Sequence, residues 1–384
     1  MNILIINHYA GSPKLGMEYR PYYLAKEWIK LGHKVTIIAA SNSHVRSIQP
    51  IVNKALTFEN IDDIDYCWIK TPDYKGNSAK RFFNMLMFVD KLSHKASFFA
   101  ETIKPDVVIA SSTYPLDIFP AKRIAKKSKA KLVYEIHDLW PLSPMELGGY
   151  SKYHPFIKIM QFAENYAYKY CDIVISMLPK TLEHTIEHGL NPEKWNYIPN
   201  GIVLDEWINS EKIDENIKEF INQKKTGNKL AIAYVGTIGL ANALDTYIDA
   251  AKLTSNKNII FFIVGKGHEK ERLMKRKIDE NIENIHFIDP VKKQTIPNLL
   301  SMFDILYIGL QNQSLFRFGI SPNKLFDYMM AERPVIQAIN AGNDLVTEAD
   351  CGISVEPENP ELITNAILNL SELNTEELLE MGKR

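Results

Sequence analysis

Two α/β domains, each a parallel sheet wound with helices on both faces, are what this sequence predicts, and three observations carry the prediction. Apolar runs of strand length alternate with helical segments in the first half, and the alternation restarts at Leu230. Strands of a parallel sheet are covered on both faces and therefore read as unbroken apolar runs separated by helices. The interruption falls at Pro199-Asn200-Gly201, a turn signal followed by a charged run from 211 to 229. The chain has 384 residues, 46% of them hydrophobic, which is enough to bury two cores.

Taken in order, residues 3–6 form an apolar run too short for a signal peptide and read as the first strand. A loop from His8 to Gly16 leads into a helix from about Arg20 to Leu31, and residues 32–39 give the next buried strand. This is a Rossmann-like start. Its glycines do not match G-x-G-x-x-G and no acid ends the second strand, so a nicotinamide cofactor has little support. Residues 79–104 carry an aromatic-rich helical pattern interspersed with Lys80, Arg81, Lys91 and Lys95. Such a stretch either lies in the plane of a membrane interface, cations on headgroups and rings in the acyl boundary, or is a core helix packed under the sheet.

Further strands are expected at 105–110, 131–137 and 172–176, with a mobile loop at 144–153 and a helix from Lys180. Ligands gather at the carboxyl ends of such strands, which singles out His137, although a lone histidine there is commonly a satisfied structural one. Beyond the boundary, Leu230–Val235 is a strand, and the loop from Gly236 and Thr237 opens a helix whose N–H groups suit phosphate. Strands follow at 261–264, before the Gly265-Lys266-Gly267 turn, at 286–291 ending on Val291, and at 305–308.

The stretch 318–336 gives the most specific signal. Ser321-Pro322 reads as a helix start, because serine caps free N–H groups and proline at the first position loses no hydrogen bond. Leu325, Tyr328 and Met329 fall at burial spacing, while Lys324 and Asp327 lie three apart near the positive end of the helix dipole. Pro334 stops the helix and Val335-Ile336 begins a buried strand. A diphosphate nucleotide suits this arrangement, with N–H groups and Lys324 on the phosphates and the carboxylate on the ribose hydroxyls. An ordinary capped helix with a solvated Lys–Asp pair has the same pattern.

The form Ser321-Pro-Asn-Lys-Leu-Phe-Asp-Tyr-Met329 resembles the C-terminal signature of retaining glycosyltransferases of family 4. It is most similar to the branch that includes bacterial N-acetyl-fucosamine transferases of surface-polysaccharide synthesis. Pro199-Asn200-Gly201 resembles the segment that opens the second domain in that family. The family's Glu-x7-Glu is incomplete, with Asp327 at the second position and Gly319 at the first. The Arg–Lys pair that many members carry after the strand at 230–235 is absent.

The resemblance implies the GT-B fold, two Rossmann-like domains with parallel sheets facing a central cleft, divided as 1–200 for the acceptor and 201–384 for the nucleotide-sugar donor. It implies no cofactor and no metal: a UDP donor gives up a sugar, expected to be an N-acetylated amino sugar, to a lipid-linked saccharide with retention. His137, Lys324 and Asp327 are the implied catalytic residues. Gly16, Gly236, Thr237, Lys266 and Val291 would contact the donor. So would Gly319, Ile320, Ser321, Asn323 and Leu325, with Gly11 and Arg20 toward the acceptor.

Composition narrows the setting. A net charge of −1 supplies no global field for nucleic acid. Cys67, Cys171 and Cys351 show neither disulfide nor metal spacing, which fits the cytoplasm. No run reaches the length of a membrane span, so membrane contact is expected to be peripheral, on the inner face, through 79–104. Asp63-Ile-Asp65 matches the Asp-x-Asp of metal-dependent transferases, but three-residue matches arise by chance. The rival readings are a UDP-sugar epimerase or hydrolase and a non-catalytic nucleotide-sugar-binding subunit.

Overall fold

The computed structural model describes residues 1–74, 76, 79–227 and 229–384. The chain divides into two compact units, Met1–Pro199 and Asn200–Arg384.

Unit one contains β1 (Asn2–Ile6), β2 (Lys34–Ala40), β3 (Leu56–Ile61), β4 (Ile64–Ile69), β5 (Val107–Ala110), β6 (Lys131–Ile136), β7 (Ile173–Ser176) and β8 (Trp195–Tyr197). They form one sheet in the order β3-β4-β2-β1-β5-β6-β7-β8. β1 lies inside it, parallel to β2 and β5, with Leu4 and Ile6 fully buried and Ile3 and Ile5 nearly so. Strand order reverses between β1 and β5, so the loops leaving β1, β5 and β6 stand where an open α/β sheet binds ligands.

The expectation of a wholly parallel sheet needs one correction. β3 and β4 pair antiparallel at the edge. Asp62 and Asp63 join them with φ of 51° and 69°, the left-handed pair that a two-residue hairpin turn requires. The Asp-x-Asp therefore has a structural setting: Asp63 is the second turn residue and Asp65 accepts from Asn60 at 3.0 Å, while the neighbouring Asp62 accepts from the Tyr22 hydroxyl at 2.8 Å.

The helices of unit one are α1 (Arg20–Lys30), α2 (Ala79–His94), α3 (Ala96–Ile103), α4 (Ile118–Ser128), α5 (Leu142–Glu146), α6 (Pro155–Tyr170) and α7 (Leu182–Glu187). Residues 79–104 are thus two helices, broken at Lys95. Phe88, Leu92 and Phe99 are fully buried, whereas Phe83 and Leu86 are 54% and 39% exposed. One face of this stretch is packed as a core helix is, and the other is exposed. Burial takes Phe88 out of any lipid contact, and Phe82 packs edge-on against Phe156. α2 and α3 pack on α4, and α4 on α6.

Unit two contains β9 (Leu230–Val235), β10 (Ile259–Val264), β11 (Ile285–Ile288), β12 (Ile305–Gly309), β13 (Val335–Ala338) and β14 (Gly352–Val355), all parallel in the order β11-β10-β9-β12-β13-β14. β10 shows how two faces are filled. Ile259, Phe261 and Ile263 join one core with Tyr247 and Ile367, while Ile260, Phe262 and Val264 join the other with Leu299 and Tyr328.

The helices are α8 (Leu204–Ile208), α9 (Glu215–Lys224), α10 (Leu244–Leu253), α11 (Lys270–Asp279), α12 (Ile296–Leu300), α13 (Asn323–Met330), α14 (Leu345–Ala349), α15 (Pro360–Ser371) and α16 (Thr375–Lys383). The charged run gives α9, which buries Ile221 and is capped by Asp214. Strand order reverses between β9 and β12, beside α13. Among the described residues no helix is long and apolar enough to cross a membrane.

Candidate active site

β9 ends at Val235, and the side chain of Lys324, in the first turn of α13, reaches across to Gly236, the next residue. The ammonium donates to the Tyr234 hydroxyl at 2.7 Å and to Asn242 Oδ1 at 2.8 Å, and lies 4.4 Å from the centre of the Tyr234 ring. Both partners fasten the same loop. Tyr234 donates its hydroxyl to the Thr237 carbonyl at 2.6 Å, and Asn242 Nδ2 donates there at 3.1 Å. A Cβ on Gly236 would stand 3.1 Å from the Lys324 nitrogen, so any larger residue would press on the ammonium.

None of the ion pairs found among the described residues includes Lys324. Burial alone pulls its pKa down to about 7. A cation that has lost water without gaining a carboxylate is a place for an anionic ligand.

The start of α13 differs from expectation. The helix begins at Asn323, with Pro322 as its cap residue and no side chain capping it. Ser321 is engaged elsewhere: its hydroxyl accepts from the Asn200 N–H at 2.9 Å and its carbonyl accepts from Asn200 Nδ2 at 2.8 Å. Asn200 of the turn is therefore tied to the central motif; in the first turn the Leu325 N–H donates to the Pro322 carbonyl at 3.0 Å, which leaves the Asn323 and Lys324 N–H groups to a ligand.

Gly319 has φ of 99°, in the left-handed region that penalises a side chain. That backbone accounts locally for glycine where the resembling enzymes carry an acid. Asn343 then brackets Ile320, accepting from its N–H at 2.7 Å and donating to its carbonyl at 3.1 Å.

Asp327 lies one turn on, among different neighbours from Lys324. Trp207 hydrogen-bonds its carboxylate and Lys293 stands near, but burial dominates and pushes its pKa up to about 6. Asn323 and Thr237 are exposed, as is Lys266, whose carbonyl accepts from the Ile238 N–H at 2.9 Å. Val291 is half-buried against the core that holds Leu325.

In unit one His137 leaves β6 and closes a buried network. Its Nε2 lies 3.0 Å from Glu135 Oε2 and 2.9 Å from Ser111 Oγ, and Ser111 donates to the same carboxylate oxygen at 2.7 Å. Arg20 Nε donates to Glu135 Oε1 at 3.0 Å, while its terminal nitrogens donate to the carbonyls of Pro199 and Ile198, each at 2.8 Å. Burial opposes charge on His137, yet the Glu135 carboxylate outweighs it and raises the histidine pKa. Burial likewise opposes ionisation of Glu135, and the charges of His137 and Arg20 hold it low.

Arg20 is thus a buried brace, with Glu135 and two carbonyls on its guanidinium. The glycine loop is also closed on itself. Gly11 N–H donates to the Glu18 carbonyl at 2.8 Å and Gly16 N–H to the Ser12 carbonyl at 2.8 Å. A Cβ on Gly11 would lie 1.9 Å from the Gly16 carbonyl oxygen.

Sequence reasoning missed the walls of a cavity of about 680 Å³ in unit one. It is lined by Arg81, Phe82, Trp140, Tyr150, His154 and Phe156, with Pro144, Leu147 and Gly148 of the expected loop along one side. Arg81 Nε donates to the Tyr9 hydroxyl at 3.2 Å and its guanidinium lies 5.8 Å from the Trp140 ring. The aromatic density of 79–104 and 137–156 was the available signal.

Comparisons with known proteins bear on both units. The model described as Glycosyltransferase Family 4 matches residues 16–206, and that described as Glycosyl transferases group 1 matches residues 229–372. WcaI of Escherichia coli (strain K12), which carries the name colanic acid biosynthesis glycosyl transferase, is 27% identical over 272 residues, 69% of this chain and 66% of that protein, just short of two thirds of its length. Among solved structures, sucrose-phosphate synthase from Thermosynechococcus elongatus has a TM-score of 0.72 at 14% identity, covering 100% of this chain and 92% of that one. The Anabaena protein HepE, in complex with UDP and glucose, has 0.65 at 15% identity, covering 100% and 93%. These likenesses establish the GT-B fold.

Proposed function

The chain belongs to the glycosyltransferases, family 4 by its first unit and group 1 by its second, and from that premise we propose that it moves a sugar from a UDP donor to a lipid-linked saccharide with retention, in surface-polysaccharide synthesis. The observation that carries the reading is Lys324, a buried amine without a carboxylate partner at the point where strand order reverses. Negative charge on the diphosphate grows as the sugar leaves, so a preformed cation and uncapped helix N–H groups stabilise the transition state more than the ground state. The acceptor hydroxyl attacks from the leaving-group side and gives its proton to the departing diphosphate. Lys324 and the N–H groups supply this charge compensation without a metal, and Asp327 takes the ribose hydroxyls.

The name of WcaI supports a polysaccharide product, and the UDP held by HepE supports the donor nucleotide. The donated sugar is read as an N-acetylated amino sugar, from the resemblance at 321–329. His137 is the candidate residue of unit one, its basicity raised by the Glu135 carboxylate. The aromatic cavity suits acceptor sugar rings, which stack on Trp and Tyr faces.

The test is UDP titration and single-turnover transfer with membrane-extracted acceptor, in excess EDTA. Asp327→Ala should weaken UDP binding by about 10–100-fold, the loss expected for a charged hydrogen-bond partner. Lys324→Ala should lower the transfer rate as well. Wild-type kinetics in both variants would remove the donor from this helix. UDP binding with no turnover of any UDP-sugar would favour a binding subunit, the reading that Gly319 in place of an acid supports.

A further inference from the structure

Unit one holds a second constellation that none of the preceding chemistry uses. Glu164 of α6, His184 of α7 and His188, one residue beyond α7, each bring a donor atom within 4.8 Å of the other two. Positions four apart on a helix face the same way, and the two imidazole rings lie 4.3 Å apart.

Their orientation is fixed from outside. Glu164 Oε1 accepts from the Tyr168 hydroxyl at 2.9 Å, and Oε2 accepts from Gln161 at 2.7 Å. His188 Nδ1 is hydrogen-bonded to the His184 carbonyl at 2.9 Å, which puts the proton on Nδ1 and the lone pair on Nε2. His184 Nε2 lies 3.0 Å from Glu164 Oε1. Hydrogen bonds of this kind, from the far side of imidazole and carboxylate ligands, are what metal sites use to set ligand direction. Glu164 and His184 are buried while His188 is half-buried, which gives an ion a way in and leaves room for a solvent ligand.

We propose that Glu164 Oε1, His184 Nε2 and His188 Nε2 form a site for a divalent transition metal, zinc foremost, with solvent as the fourth ligand. Two imidazoles and one carboxylate match zinc chemistry, whereas magnesium and calcium take oxygen ligands. Bonds of about 2.0–2.1 Å put tetrahedral donors about 3.3 Å apart, so the Glu164–His184 pair is already spaced for the ion and His188 closes by at most about 1.5 Å. The ion replaces the direct Glu164–His184 hydrogen bond and ties α6 to α7. That region leads into β8, since Trp195 donates to Thr181 at 3.1 Å just before α7. All three ligands belong to unit one, so the metal braces that unit and takes no part in transfer.

The experiment uses the full chain, stripped with EDTA and desalted, then titrated with zinc sulfate or magnesium chloride against a chromogenic chelator and followed by thermal melting. Zinc should bind at about one equivalent and raise the melting temperature, because it binds only the folded state, and magnesium should do neither. His188→Ala should lose both effects while keeping the metal-free melting temperature of the wild type. His268→Ala, an exposed histidine of unit two, should behave as wild type. Undiminished zinc binding by His188→Ala, or less than a tenth of an equivalent bound by the wild type at low micromolar zinc, overturns the proposal.

Discussion

Lys324 is under two opposed demands, one from stability and one from binding. Its pKa in the folded protein is about 7, while an unfolded lysine keeps its proton to about 10.4. Between those values the unfolded chain binds the extra proton, so stability rises with pH across the window, and the cost of burying the charge is fully present below pH 7. Lys324→Met removes that cost. Its melting temperature should exceed that of the wild type at about pH 6, with the gap closing toward about pH 10. A bound diphosphate returns the charge to the wild-type lysine, so UDP binding should take up a proton at about pH 8–9 and weaken as pH rises through that range. Calorimetry in two buffers of different ionisation enthalpy reads this directly. Equal proton uptake in Lys324→Met would place the charge compensation on another group. The lysine was legible because it sits at fixed spacing in a motif. Its partners were not: Tyr234 and Asn242 lie 90 and 82 positions away, and parallel pairing brings them there. The buried partner of Arg20 was hidden for the same reason, since Glu135 is 115 positions distant.

Among the elements, buried strands were the most legible, because a run covered on both faces cannot be anything but apolar. β3 and β4 escaped notice: β3 is an edge strand with Glu59 and Asn60 exposed, so its pattern is mixed. Helix faces were harder still, since spacing within 79–104 shows that a stripe is apolar and not what covers it. The three packed helices each expose rings or basic side chains: Phe83 on α2, Lys126 and Lys127 on α4, and Phe162, 64% exposed, on α6. α4 carries no acid among its residues. Basic side chains beside exposed rings suit an anionic bilayer surface, so the test of the proposed peripheral contact takes residues from all three helices. Phe83→Ser with Phe162→Ser should reduce sedimentation with anionic vesicles several-fold while sparing UDP affinity and melting temperature. Lys126→Glu with Lys127→Glu should do the same, and added salt should mimic it. Phe88→Ser should instead destabilise unit one by about 3–5 kcal/mol, the range for truncating a buried aromatic ring. Vesicle binding that survives both double variants would leave this surface without a membrane role.

At the scale of the whole molecule, the same topological event occurs twice with different chemistry attached. In unit one the order reverses between β1 and β5, and the neighbouring strand ends carry Ser111 and His137; in unit two it reverses between β9 and β12, beside Lys324. Their electrostatic states differ. Arg20 and His137 both have the Glu135 carboxylate as a partner. Lys324 has hydroxyl and amide partners only, and it gains most from an added anion. UDP should therefore order unit two and leave unit one nearly unchanged. Hydrogen exchange is the measurement, because amides that a ligand restrains open less often. Saturating UDP should slow exchange at 236–242 and 319–327 while 137–156 exchanges as before; an acceptor saccharide should protect 137–156 around the aromatic cavity and spare 236–242. Protection by UDP concentrated at 8–20 and 137–156 would shift donor binding to unit one and, with it, the roles assigned here to Lys324 and Asp327.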